Sequence, residues 1–214
     1  MEPELQGKEH TADLPSKDAV QIVGVCGSLV AESTTKKALA YALKGASELE
    51  VSTRLIELRD YKLVFYGEVE EAAYPPDVFR LRKTLKEAHG IIFGTPEYYG
   101  SLTGALKNMF DLMGRGELEG KIVGLVGVAG GQTGAINTLN TLRIIGRNLH
   151  SWVLPHEVSI SESGKRFEPD GSVKDPALEE RLREVGRLVA RFAILQQRIR
   201  DDSFLRLWEG LPRW

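Results

Sequence analysis

Three stretches of this sequence combine residue types and spacings that could do chemistry. Gly27-Ser28-Leu29-Val30-Ala31-Glu32-Ser33-Thr34-Thr35 packs four hydroxyls, those of Ser28, Ser33, Thr34 and Thr35, into nine residues that run into a helix-like pattern. A helix N-terminus presents unpaired N–H groups and a partial positive charge, so with added hydroxyl donors it can hold a phosphate without any basic residue. The same residues suit a plain helix cap with no ligand, with Ser33 or Thr34 as the capping side chain. Glu32 would repel a phosphate unless it points away. Gly94-Thr95-Pro96-Glu97-Tyr98-Tyr99-Gly100-Ser101 places two glycines, a proline and two adjacent tyrosines together. Backbone N–H groups there could bond the carbonyls and ring nitrogens of a flat heterocycle, the glycines allowing close approach; the tyrosines could equally just shield the end of a sheet. Ala129-Gly130-Gly131-Gln132-Thr133-Gly134 is glycine-rich in the same way.

Other motifs fail when spelled out. Gly24-Val25-Cys26-Gly27-Ser28-Leu29 lacks the later glycines of the dinucleotide fingerprint, which disfavours a Rossmann-type nicotinamide site. The run from Gly116 to Ile122 is one residue short of a P-loop, lacks its closing Ser or Thr, and precedes a strand. His156-Glu157 could open a zinc-protease motif, but position 160 is Ile and the local pattern is strand. There is no G-x-S-x-G elbow. Cys26, the single cysteine, excludes an intrachain disulfide and a cysteine zinc site, and at a strand end it reads as a small hydrophobe.

The elements that must position these loops alternate regularly. Apolar runs at 19–28, 51–58, 91–93, 121–128 and 152–160 read as strands, the first closed by glycine and buried on both faces. Between them, 34–49, 76–89, 102–113 and 134–149 carry helical stripes, and Gly90 sits where a helix end favours glycine. Asp175-Pro176 caps and opens a last helix with Leu178, Leu182, Val185, Leu188, Val189, Phe192 and Leu195 on one face. Five strands alternating with five helices predict a doubly wound α/β sandwich on a parallel sheet, at whose carboxyl edge ligands bind. The loops after Cys26, Phe93 and Val128 are the three named above.

Composition narrows the partners. The chain has 214 residues, 42% of them hydrophobic, with 28 basic and 30 acidic side chains for a formal charge of -2. That predicts one folded domain at 19–200 without the basic field that holds nucleic acid or an anionic membrane. Residues 1–18 show no leader pattern and are expected as a mobile tail. Residues 201–214, with Phe204, Leu205, Leu207, Trp208, Leu211 and Trp214, carry more apolar bulk than a free tail and are expected at a subunit contact. No apolar run approaches the roughly 20 residues that span a bilayer, and cysteine usage fits a reducing cytosol.

Gly27-Ser28-Leu29 with Ser33, then Gly94 to Ser101, then Gly104-Ala105-Leu106-Lys107-Asn108 and Asp111, resembles the NADPH-dependent FMN reductase family of flavodoxin-like proteins, which includes quinone, chromate and azo-dye reductases. The resemblance covers roughly Val20 to Ile160. It implies strand order 2-1-3-4-5 in a flavodoxin-like three-layer sandwich, bound FMN, NADPH as reductant, a small-molecule electron acceptor, and a homodimer or homotetramer. Carried over by position, Ser28, Ser33, Thr34 and Thr35 surround the FMN phosphate. Thr95, Pro96, Glu97, Tyr98 and Tyr99 belong to the isoalloxazine loop, and Gly130, Gly131, Gln132 and Thr133 close the other side. Where the family often has Arg after the Gly-Ser-Leu, Asn at the helix start and Pro before the glycine of the Leu-Lys-Asn helix, this chain has Val30, Thr35 and Thr103. Lys107, Asn108 and Asp111 read as structural first. The implied reaction is a ping-pong hydride transfer from nicotinamide through FMN to a quinone, free flavin, ferric chelate, azo compound or chromate. The alternative is a flavodoxin-like electron carrier, whose usual strong acidity is missing. A receiver domain of the same topology fails, because the places of its acidic cluster and phosphorylated Asp hold Cys-Gly-Ser and Gly-Thr-Pro.

Overall fold

The computed structural model describes residues 20–200; the segments 1–18 and 201–214 read above lie outside the described residues. Strands β1 (Gln21–Cys26), β2 (Ser52–Glu57), β3 (Gly90–Pro96), β4 (Ile122–Val128) and β5 (Trp152–Ile160) form one parallel sheet in the order β2-β1-β3-β4-β5. The central β3 and β4 are buried at every position and β1 at all but its first, which is why they read as unbroken apolar runs. The edge strands β2 and β5 keep several exposed positions.

The helices are α1 (Thr34–Ser47), α2 (Pro76–Glu87), α3 (Gly104–Leu112), a one-turn α4 (Arg115–Leu118), α5 (Ile136–Asn148) and α6 (Pro176–Arg200). Alternation along each strand divides the core in two. Ile22, Cys26 and Ile92 face α1 and α6, whereas Val23, Val25, Ile91 and Phe93 face α2, α3 and α5. Asp175 caps α6 as its type predicts, its Oδ1 accepting from Ala177 N at 2.9 Å.

Gly90 does not close α2. That helix ends at Glu87, Ala88 is extended, and Gly90 opens β3. A Cβ on Gly90 would stand 2.6 Å from Val189 Cγ1, and one on Gly124 would stand 2.7 Å from Val189 Cγ2, so these glycines make room for α6 to lie on the sheet. The periodicities also gave no sign of α4, of the long connection at 58–75, or of the 161–175 excursion in which Phe167 bridges Val173.

Candidate functional site

The loops after β1, β3 and β4 converge at the carboxyl edge of the sheet, around a cleft of roughly 350 Å³. Ser28, Ser33, Thr34 and Thr35 line one side. Ser33 is the N-cap of α1, its Oγ accepting from Lys36 N at 3.1 Å. The cap and the site are therefore one structure: Ser33 takes up one first-turn amide, and the amides of Thr34 and Thr35 have no intrahelical acceptor. Ser28 is 2% exposed, with its Oγ accepting from Val30 N at 3.3 Å. Among the described residues, none that lines the cleft is Lys or Arg. Lys36, one turn into α1, is held by Glu57 at 2.9 Å, which pushes its ammonium pKa up. The helix end and the hydroxyls thus form the positive wall. Glu32 shares the lining and is solvent-exposed.

Cys26 lies beneath this loop, its Sγ 3.9 Å from both Ser33 Oγ and Ser28 O, and burial pushes its thiol pKa up. It is a poor thiolate, as a buried hydrophobe should be. The floor is close-packed: a Cβ on Gly27 would stand 3.0 Å from Leu106 Cβ and 3.2 Å from Gly94 O. Thr103 gives the loop its second anchor. Its hydroxyl caps α3 by accepting from Leu106 N and donates to Gly27 O at 2.7 Å. The substitution at this position therefore ties the start of α3 to the loop beneath the hydroxyls.

The β3 loop is a miniature hairpin. Tyr98 and Ser101 exchange backbone bonds at 2.9 and 3.1 Å across a two-residue turn in which Tyr99 (φ 52°) and Gly100 (φ 78°) are both left-handed. Glycine suits that conformation; a fully exposed tyrosine there is strained. Pro96, Glu97 and Tyr98 line the cleft. The Glu97 carboxylate reaches away along the edge, its Oε2 accepting from Thr138 N at 3.0 Å in the first turn of α5, while Glu97 N donates to Val128 O at 2.7 Å. Asn137 Nδ2 approaches Oε1 at 3.5 Å. One side chain thus latches the second loop to the third and caps α5 from a distance. Thr95 is fully buried, its hydroxyl between Thr103 N and Pro96 O.

Of the third loop, Gly130 lines the cleft together with Val128, and open space surrounds Gly130 and Gly131. Ser159 Oγ fixes its far end by accepting from Ala135 N at 2.8 Å. The 161–175 excursion supplies a fourth wall, with Glu162 N bonded to Gly131 O, Ser163 N to Ala129 O, and Ser163 lining the cleft. Lys165, then Arg166, hold the Glu162 carboxyl below its usual range. Val30, Val128 and Ser163 therefore join the cleft without being picked from the sequence. Thr95, Tyr99, Gly131, Gln132 and Thr133 stand outside its lining. Lys107 pairs with Asp111 at 2.6 Å, and Asn108 Nδ2 holds Val64 O at 2.9 Å; both are structural contacts. His156 and Glu157 lie in β5, and among the described residues no group of three or more His, Cys, Asp and Glu could hold a metal.

Residues 20–165 match the family model of NADPH-dependent FMN reductases. An NAD(P)H-dependent FAD/FMN reductase of Geobacillus thermodenitrificans is 27% identical over 169 residues, 78% of this chain and 89% of that protein. A quinone reductase of Pseudomonas putida is 29% identical over 158 residues, 71% of this chain and 83% of that one. In fold, the chain is similar to a flavoenzyme NAD(P)H:(acceptor) oxidoreductase from Paracoccus denitrificans, with a TM-score of 0.69 at 22% identity over 81% of this chain and 97% of the other.

Proposed function

The chain belongs to the NADPH-dependent FMN reductase family, and on that premise we propose that the cleft at the carboxyl edge holds FMN. The FMN phosphate sits at Ser28, Ser33, Thr34 and Thr35. The flat ring sits between the Pro96–Tyr99 loop and the Gly130–Thr133 loop. The protein is an oxidoreductase that uses NADPH and FMN. The observation that carries the assignment of the phosphate site is the donor set itself: four hydroxyl side chains and two first-turn amides without an intrahelical acceptor at a helix N-terminus, with no cation among the described lining residues.

When bound, FMN supplies the ring that accepts hydride and passes electrons on, so the chain's own work is to hold and orient. Thr34 and Thr35 offer amide donors, and Ser33 keeps α1 in register for them. Glu97 directs its carboxylate to the first turn of α5, and hydride transfer requires no acid or base from the cleft. The Gly130–Thr133 loop would offer backbone amides to negative charge on the ring, whereas the amides of Glu97 and Tyr98 are already bonded to Val128 O and Ser101 O. Gly130 and Gly131, with open space around them, leave one face free for the nicotinamide and then for the acceptor. The acceptors we propose are compact and oxidised: a quinone, free flavin, ferric chelate, azo compound or chromate. A homodimer or homotetramer is supported by the exposed Phe65, Tyr66 and Tyr99. A reducing, cytosolic setting is supported by the single cysteine.

Purified protein loaded with FMN and mixed anaerobically with NADPH tests this reading. Rapid bleaching of the flavin absorbance is the expected result. Bound flavin that neither NADPH nor NADH bleaches would make the protein an electron carrier, and a failure to bind flavin would overturn the site.

A further inference from the structure

The segment that follows β5 brings to the cleft a side chain that the fold itself does not use. Ser161-Glu162-Ser163-Gly164-Lys165-Arg166 leaves the last strand at the carboxyl edge with serines and a glycine, the residue types of the loop after β1. The structure separates the two serines. Ser161 is taken up within the segment, its carbonyl accepting from Arg166 Nε at 3.0 Å and its Oγ from Arg166 Nη2 at 3.3 Å. Ser163 is half-buried and lines the cleft, and its hydroxyl has no hydrogen-bond partner among the described residues.

The backbone that carries this hydroxyl is fixed. Ser163 N donates to Ala129 O at 3.0 Å, Glu162 N donates to Gly131 O at 3.0 Å, and Ser163 O accepts from Arg166 N at 3.2 Å. Glu162 is left-handed (φ 47°, ψ 46°), a conformation strained for a glutamate and held by those bonds. Its carboxylate pairs with Lys165 at 2.5 Å and Arg166 at 3.9 Å. The two cations are thus engaged within the segment, and what it adds to the cleft lining is a neutral hydroxyl.

Farther along, the same segment docks on α1, the helix whose N-terminus forms the positive wall. Val173 N donates to Tyr41 Oη at 3.3 Å, and Lys37 Nζ reaches Glu168 O at 3.5 Å. Phe167, bridged to Val173, packs into the core that α1 shares with α6. The segment therefore runs from the glycine loop after β4 to the flank of α1. Those are the two walls between which the chain joining a flavin ring to its phosphate must pass.

We infer that Ser163 is a flavin-binding residue whose hydroxyl bonds the polar chain of FMN, at its ribityl hydroxyls or its phosphate oxygens. The inference rests on the FMN reading proposed above and adds a contact from outside the three loops. The chemistry matches: a serine hydroxyl donates or accepts, ribityl hydroxyls do both, and phosphate oxygens accept. A hydroxyl on a pinned backbone gives up little freedom when a ligand arrives, so its bond adds to affinity with little ordering cost.

Ser163→Ala in the full chain tests this, because the hydroxyl supports nothing in the fold. Without flavin, the melting temperature of the variant should match that of the wild type. Titrated by flavin fluorescence, its FMN affinity should fall about tenfold, while its affinity for lumiflavin, which has neither ribityl chain nor phosphate, stays constant. Riboflavin then locates the bond: a loss equal to that for FMN places it on the ribityl chain, and an unchanged affinity places it on the phosphate. An FMN affinity equal to the wild type's overturns the inference. A loss that lumiflavin shares also overturns it, by making Ser163 a residue that only shapes the cleft. Wild-type protein that binds no FMN would overturn the flavin site itself, whereas equal binding by wild type and variant removes Ser163 alone.

Discussion

The layer formed by α1 and α6 and the cleft at the carboxyl edge are built by opposite means. In the layer, backbone meets backbone. A Cβ on Gly45 would stand 2.0 Å from Arg183 O and one on Gly186 1.7 Å from Ala42 O, while Ala38, Ala42, Ala190 and Ala193 are fully buried around the crossing. At its rim Glu48 bonds Arg183 at 2.8 Å and Arg187 at 3.0 Å, the latter also paired with Glu180 and Glu184. The cleft instead is held open by single polar bonds between residues far apart in sequence: Glu97 to Thr138 N, Thr103 to Gly27 O, and Ser159 to Ala135 N. Close packing makes a rigid support. Sparse latches leave donors unspent for a ligand, and that division is what a cofactor site on a stable scaffold needs.

Substitutions should separate the two regions. The largest effect is expected from Gly186→Val, which forces α1 and α6 apart. It should cost at least the roughly 1–3 kcal/mol of an overpacked core and lower the melting temperature by several degrees, with FMN affinity per folded molecule little changed. Ser33→Ala should reverse the pattern, with a loss of about 1 kcal/mol in thermal unfolding but an FMN affinity down about tenfold by fluorescence titration.

Glu97→Ala leaves the first turn of α5 uncapped and separates the second and third loops. About 1 kcal/mol of stability should go, together with a several-fold loss of FMN affinity that Glu97→Gln recovers in part. Tyr99→Gly should run the other way, relieving the left-handed tyrosine and raising stability by about 1 kcal/mol while NADPH-driven turnover falls. A rise in both would show that the strain serves nothing at the cleft.

The smallest effect is a pH dependence in the layer. Arg183 and then Arg187 hold the Glu48 carboxyl below its ordinary value. A depressed carboxylate stabilises the fold above its unfolded pKa and loses that contribution as pH falls through the folded one. The melting-temperature gap between wild type and Glu48→Gln should therefore be full at pH 7 and close on acidification below pH 4.5. A gap that persists in acid would show that Glu48 acts through packing.

The same contrast explains what the sequence makes legible. The hydroxyl loop could be read because its chemistry is local, and Ser28, Ser33, Thr34 and Thr35 do meet in one cleft. Continuous apolar runs likewise betrayed β1, β3 and β4. The latch at Glu97 joins residues 41 apart, and no local pattern announces it. Gly45 and Gly186 read locally as weak helix residues and acquire their reason only from the other helix. Gly90 sat at a helix end in sequence and at a helix-to-sheet contact in space. Ser163 stands after β5, at the same carboxyl edge as the three loops that were read, and that placement is the signal that points to it.

The central claim, a phosphate held by hydroxyls and a helix end without a cation, is tested most directly by titrating the apoprotein with FMN and with riboflavin, which differ only in the phosphate. FMN should bind at least tenfold more tightly, and Ser33→Ala should erase most of the difference. Equal affinities for the two flavins in the wild-type protein would contradict the account.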